Sequence, residues 1–258
     1  MSHFQSRWLA PALLCAGLSC NMYAVDGVIL IDQNRALVGG VTPNDAAGFP
    51  VTITQSGSYR LSGNLTVPDA NTTAIDVTAD NVTIDLNGFS IIGPTVCVGV
   101  PVSFPVTSCS PTGDGDGVRS AKRNTTVVNG SVLGMGGIGI HLVNHGGYVE
   151  KVHADSNGKS GIAVVSGTVS GNTVNFNGDD GIDALVFATV IGNTAIGNRK
   201  SGILTNNSTV TGNTLSSNGA AGILVGCPSS VVGNTATSNS TNLSTFGAGC
   251  VLANNAAP

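Results

Sequence analysis

The chain has 258 residues, of which 9% are charged and 4% aromatic, with 36 glycines and a formal net charge of −4. That acidic balance excludes partners that need a basic patch, so neither nucleic acid nor an anionic membrane surface is expected. A mean hydropathy of +0.27 excludes disorder by composition, and the scarcity of large side chains calls for a core of small β-branched residues in thin layers.

Residues 1–24 read as a signal peptide. His3 and Arg7 give a weakly basic start, "WLAPALLCAGLSC" is an apolar stretch too short to span a bilayer, and "MYA" ends in a plausible cleavage site. The expected location is therefore outside the cytoplasm: periplasm, cell surface or medium. No later segment is long and apolar enough for a transmembrane helix. Residues 25–75 are less regular. There "FPVTITQSGSYRLSGNLTV" reads as two strands around "QSGS", a first coil and a cover for the open end of the repeat region.

From residue 76 the chain repeats. "NVTIDLNGFSIIG" (81–93) resembles "NTTVVNGSVLG" (124–134), and between them a loop insertion, 94–117, interrupts the pattern. Further on, "GNTVNFNGDDGI", "GNTAIGNRKSGI", "GNTLSSNGAAGI" and "GNTATSNS" succeed one another. Their asparagines form two columns, Asn172, Asn193, Asn213, Asn234 and Asn157, Asn177, Asn198, Asn218, at a period of about 21 residues. Each unit holds short alternating runs broken by Gly or Asn-Gly, which are strands punctuated by turns. No segment shows a helical period. A unit of this length with three short strands makes one coil of a parallel β-helix, and Asn suits its corners. It tolerates the left-handed backbone and stacks amide on amide from coil to coil. A hexapeptide helix needs a shorter period, and a leucine-rich repeat needs more leucine.

The repeat G-N-T-x-x-x-N-x-x-x-G-I resembles that of the right-handed parallel β-helix proteins, the family that includes pectate lyases, polygalacturonases and many uncharacterised exported bacterial proteins. The resemblance covers roughly residues 76–250. It implies an all-β, single-stranded right-handed solenoid of about seven to nine coils, with N-terminal cap strands, the 94–117 insertion and a C-terminal cap over 227–258. It implies less about function, because one fold hosts many activities.

Candidate residues are few. Asp179 and Asp180 share a turn; aligning the coils on Gly-Ile puts Lys159, Asp179 and Lys200 in one surface column, which reads as a charge ladder with Asp180 an ordinary turn residue. Polygalacturonases combine Asn-Thr-Asp, Asp-Asp, Gly-His-Gly and Arg-Ile-Lys in that order. Here Asp-Asp is present, but "NHG" (144–146) precedes it and Asn-Thr-Asp is missing. The residues after each Gly-Ile should face outward, giving a column His141, Ala163, Asp183, Leu204, Leu224. In it His141 and Asp183 stand two coils apart, roughly 10 Å by strand spacing. His141, Asp180 and Asp183 are thus the weak catalytic candidates. Asp114 and Asp116 in "GDGDGV" are weak Ca²⁺ candidates without a full binding pattern. No zinc spacing is present among the histidines, including His145 and His153, and no cofactor is called for. Phe104, Tyr148, Phe176 and Phe187 are the aromatics that would stack on sugars.

Removal of the signal takes away Cys15 and Cys20. The remaining cysteines lie in two places, Cys97 and Cys109 in the insertion, Cys227 and Cys250 at the C-terminal end. Several coils separate the two groups, beyond disulfide reach, so Cys97–Cys109 and Cys227–Cys250 are the expected pairs. Two functions remain: a non-catalytic platform that binds a polysaccharide or a cell-surface component, and a polysaccharide hydrolase, lyase or epimerase with a non-standard site.

Overall fold

Three short strands per repeat pair in parallel with their counterparts one coil away, and the chain climbs in about nine turns. The structure, a computed structural model, describes residues 27–100 and 103–258. The expected signal peptide lies outside the described residues. The first ladder stacks Val51, Ile75, Val118, Ile140, Ile162, Ile182, Ile203 and Ile223 in register. The second stacks Tyr59, Ile84, Val127, Val149, Val169, Val190, Val210 and Val231. The third stacks Leu65, Ile91, Val132, Ala154, Val174, Ala195, Leu215 and Ala236. All of these point inward and are buried. Apart from Tyr59, the core is therefore three columns of aliphatic residues, which is why a chain with so few aromatics folds. Beyond residue 227 the rungs continue through Ser230–Val232, Thr235–Thr237, Thr241–Phe246 and Val251–Ala253.

Asparagine holds the corners from inside. Asn193 Nδ2 donates to Asn213 Oδ1 at 3.0 Å and to Val169 O at 2.9 Å, while its Oδ1 accepts from Asn172 N at 2.9 Å and Asn172 Nδ2 at 3.0 Å. The second column repeats this pattern, Asn157 to Asn177 to Asn198 to Asn218. Both run one rung further than the repeat motif shows, ending on Asn255 and Asn239. The glycine before each Ile is explained by these ladders. A Cβ on Gly161 would lie 2.2 Å from Val174 Cγ1 and 2.7 Å from Asn177 Nδ2, so no larger residue fits beside the amide column.

Two elements differ from the plain strand-and-turn reading. A short helix, Gln33–Val38, comes after the first strand; Asp32 caps it by accepting the Arg35 N–H at 2.9 Å, and Ala36 is fully buried against the end of the core. Six residues are too few to show a period in sequence. The insertion is a hairpin, Val96–Val100 antiparallel to Ser103–Ser110, with Cys97 opposite Cys109 and disulfide-bonded to it. It lies against the corners of later coils: Val106 is buried and its N–H donates to Gly197 O at 2.9 Å, and a Cβ on Gly178 would meet Cys109 Sγ at 2.9 Å. Cys227 and Cys250 form the other disulfide.

Candidate ligand-binding face

Outward positions of the first ladder form the column Asp76, Arg119, His141, Ala163, Asp183, Leu204 and Leu224. The corner leading into that ladder carries Asp114, Asp116, Lys159, Asp179, Asp180, Arg199 and Lys200. Ten of the 24 charged residues of the chain thus lie on one flank.

His141 is held from below. Its Nδ1 lies 2.9 Å from Asp116 Oδ2, and Asp116, buried, accepts the Ile138 N–H on its other oxygen at 2.8 Å. With Nδ1 engaged, Nε2 is the ring nitrogen left for a ligand. Two coils higher, across small Ala163, stands Asp183. Its Oδ1 is buried without a hydrogen-bond partner among the described residues, and burial, reinforced by the charge of Asp179, raises its pKa.

Asp180 is not an ordinary turn residue. It is 5% exposed and accepts the Ser201 N–H at 2.8 Å. Burial, with Asp179 and Asp183 nearby, pushes its pKa up to about 6. The turn Asp-Asp therefore divides by direction: Asp180 points in, Asp179 points out. The Lys200 ammonium lies 2.5 Å from Asp179 Oδ1, and this contact raises the Lys200 pKa. Lys159 occupies the same column, but its ammonium reaches Asp114 at 2.7 Å instead, which lowers the Asp114 pKa. A long exposed side chain takes whichever carboxylate lies nearest, and register alone does not decide that.

Asp114 and Asp116 are consequently not brought together: one pairs with Lys159, the other with His141. Among the described residues no group of three or more His, Cys, Asp or Glu is arranged to hold a metal ion. His145 Nδ1 lies 2.8 Å from Ser166 Oγ, and His153 sits on the third ladder between Ser131 and Thr173. Past Arg119 the face continues into a depression of about 290 Å³ lined by Phe49, Pro50, Asn71, Thr72, Thr73, Asp76 and Arg119. The sequence pattern did not reveal Asp116 as the partner of His141. The available signal was "DGV" at 116–118, which aligns with "DGI" at 180–182 and marks both acids as corner residues turned toward the coil.

Residues 116–257 match the sequence family described as "Right handed beta helix region". The chain belongs to that family. This right-handed β-helix is also similar to two solved structures from Azotobacter vinelandii. Against the A-module of mannuronan C-5 epimerase AlgE4 the identity is 13% and the TM-score 0.48, over 75% of this chain and 66% of that one. Against the AlgE6 A-module the identity is 15% and the TM-score 0.40, over 75% of this chain and 65% of that one. The β-helix thus spans just under two thirds of the length of either module. No curated protein matches it significantly.

Proposed function

We propose that this right-handed β-helix is an exported protein that binds a polysaccharide chain along the outward face of its first ladder. The observation that carries the reading is the in-register line of polar and charged side chains, Asp76, Arg119, His141 and Asp183, on one open flank. Successive rungs are ~4.8 Å apart, so the face offers polar groups on three consecutive coils and, across Ala163, on a fourth, a spread that suits an extended polymer better than a compact ligand. The two disulfides fit an oxidising compartment outside the cytoplasm.

A second reading, acid–base processing of the bound chain, is favoured by Asp183. A carboxylate with a raised pKa and an unpartnered oxygen, on the same outward column as a histidine held in orientation by Asp116, supplies an acid and a base on one face, two coils apart. One experiment separates the two. The purified protein is offered uronic-acid and neutral polysaccharides, and both binding and released or altered product are measured. Binding without product, weakened by Arg119→Ala and His141→Ala, is the expected result. A product that disappears in a folded Asp183→Asn variant would replace the binding reading with the enzymatic one. Absence of any binding would sink both.

A further inference from the structure

At the corner between the first and second ladders the backbone takes a left-handed turn, and the column at that turn reads Asn81, Asn124 and Gly146, then Phe187 and Asn207. Asn and Gly are the residues that accept positive φ without strain. Phe187 is the exception. It holds φ at 52° and is 69% exposed, whereas Phe176, with φ at 53°, is half-buried, so at Phe187 burial does not compensate the strained backbone. A bulky residue kept in a costly conformation without packing in return points to a role outside the fold.

The surroundings say which role. Phe187 borders a groove of about 510 Å³ that rises over the next coils, and no residue lining it is charged. Thr189, Thr209 and Ser230 line it in strict register, one hydroxyl per rung. Together with the Asn207 side chain, these hydroxyls make no hydrogen bond within the described residues. The groove therefore joins one exposed aromatic face to a row of free, uncharged donors and acceptors at ~4.8 Å intervals.

We infer that the Phe187 groove is a subsite for uncharged pyranose rings, one ring stacking on Phe187 and the next units hydrogen-bonding to Thr189, Thr209 and Ser230. A pyranose ring presents an apolar face of C–H groups and an edge of hydroxyls, and it advances along a glycan by about one rung of the ladder. An aromatic ring supplies the stacking contact and the hydroxyl row supplies the edge contacts, as in sites where an apolar platform is combined with a few placed polar groups. The absence of charge in the lining selects neutral sugars over uronates, in contrast to the face carrying Arg119, His141 and Asp183. The inference rests on the glycan-binding reading for its ligand class, but uses different residues on a different corner.

The test titrates the full protein with xylohexaose, cellohexaose and mannohexaose by calorimetry, and with polygalacturonate in parallel. At least one neutral hexaose is expected to bind, about tenfold more weakly in Phe187→Ala and little changed in Phe187→Tyr, which keeps the aromatic face. Phe187→Gly relieves the backbone, so its melting temperature should equal or exceed the parent's while neutral-sugar binding is lost. The inference is overturned if no neutral hexaose binds, if Phe187→Ala binds as the parent does, or if Phe187→Gly melts well below the parent, which would make Phe187 a packing residue. Polygalacturonate binding that persists in those cases would leave the first-ladder reading standing; its loss as well would remove both.

Discussion

Asp179 and Asp180 are neighbours of identical chemistry that the coil puts to opposite uses. Asp179 points outward to Lys200, where solvent screening keeps an ion pair weak. Asp180 points inward, where losing water costs the charged form, and its pKa rises from an ordinary carboxylate value near 4 to about 6. That direction sets the sign of the pH effect. Because the folded-state pKa is raised, the stabilising contribution of protonated Asp180 is fully present below pH ~4 and is lost as pH rises through about 6. At pH 8 the buried charge costs on the order of 3 kcal/mol. Asp180→Asn keeps an oxygen for the Ser201 N–H and removes the charge. Its melting temperature is expected to exceed the parent's at pH 8, with the gap closing toward pH 4. Identical melting curves for the two proteins across that range would contradict the assignment of Asp180 as the buried acid.

At the scale of the element, one coil is marginal and its neighbours make it stable. A three-residue strand buries one or two small side chains, and what fixes its position is the row of bonds to the coils on either side. Asn193 shows how much hangs on one corner. Its side chain makes four hydrogen bonds, to the Asn172 and Asn213 amides, to the Asn172 backbone N–H and to the Val169 carbonyl. Asn193→Ala leaves the buried Asn172 backbone N–H and one N–H of its side-chain amide without a partner, so a loss of about 3 kcal/mol is expected. Thermal or urea melting measures it, and a variant as stable as the parent would mean the ladder carries no net stability. The insertion obeys the same neighbour logic in another form. Its two strands are tied by Cys97–Cys109, and Val106 anchors them to the solenoid, buried with its N–H bonded to the Gly197 carbonyl.

Across the whole molecule, stability is a stack of nearest-neighbour terms, so the ends are its weak points. The last rung of the second ladder, Val251–Ala253, carries Val251 and Leu252 largely exposed, and the Cys227–Cys250 bond ties it to the preceding coil. Removing that tie with Cys227→Ser and Cys250→Ser together should cost about 3 kcal/mol at this loop length. Hydrogen exchange should localise the loss: amides of 243–253 should exchange faster while those around Val169 stay protected. Uniform acceleration along the solenoid would show instead that the chain unfolds as one unit.

How much of the molecule is legible in its sequence differs by residue. The ladders, the glycines beside them and the inward Ile and Val columns are visible there, because a solenoid repeats one local environment and the same residue answers it each time. His141 and Asp183 share a column for the same reason. The partners that leave the repeat were not legible. Asp116 reaches His141 and Lys159 reaches Asp114 through side-chain directions that register does not specify. Asp180 turning inward beside an outward Asp179 depends on which side of the corner each Cβ faces. Phe187 was only one of four candidate aromatics until the backbone placed it, exposed, in a column of Asn and Gly with φ at 52°. The sequence by itself determined the period, the coil and the sealed core, since these arise from patterns one coil long. Only the tertiary structure decided which side chains meet on the flank, because such meetings span two or more coils and depend on rotamers and corner geometry that no repeat encodes.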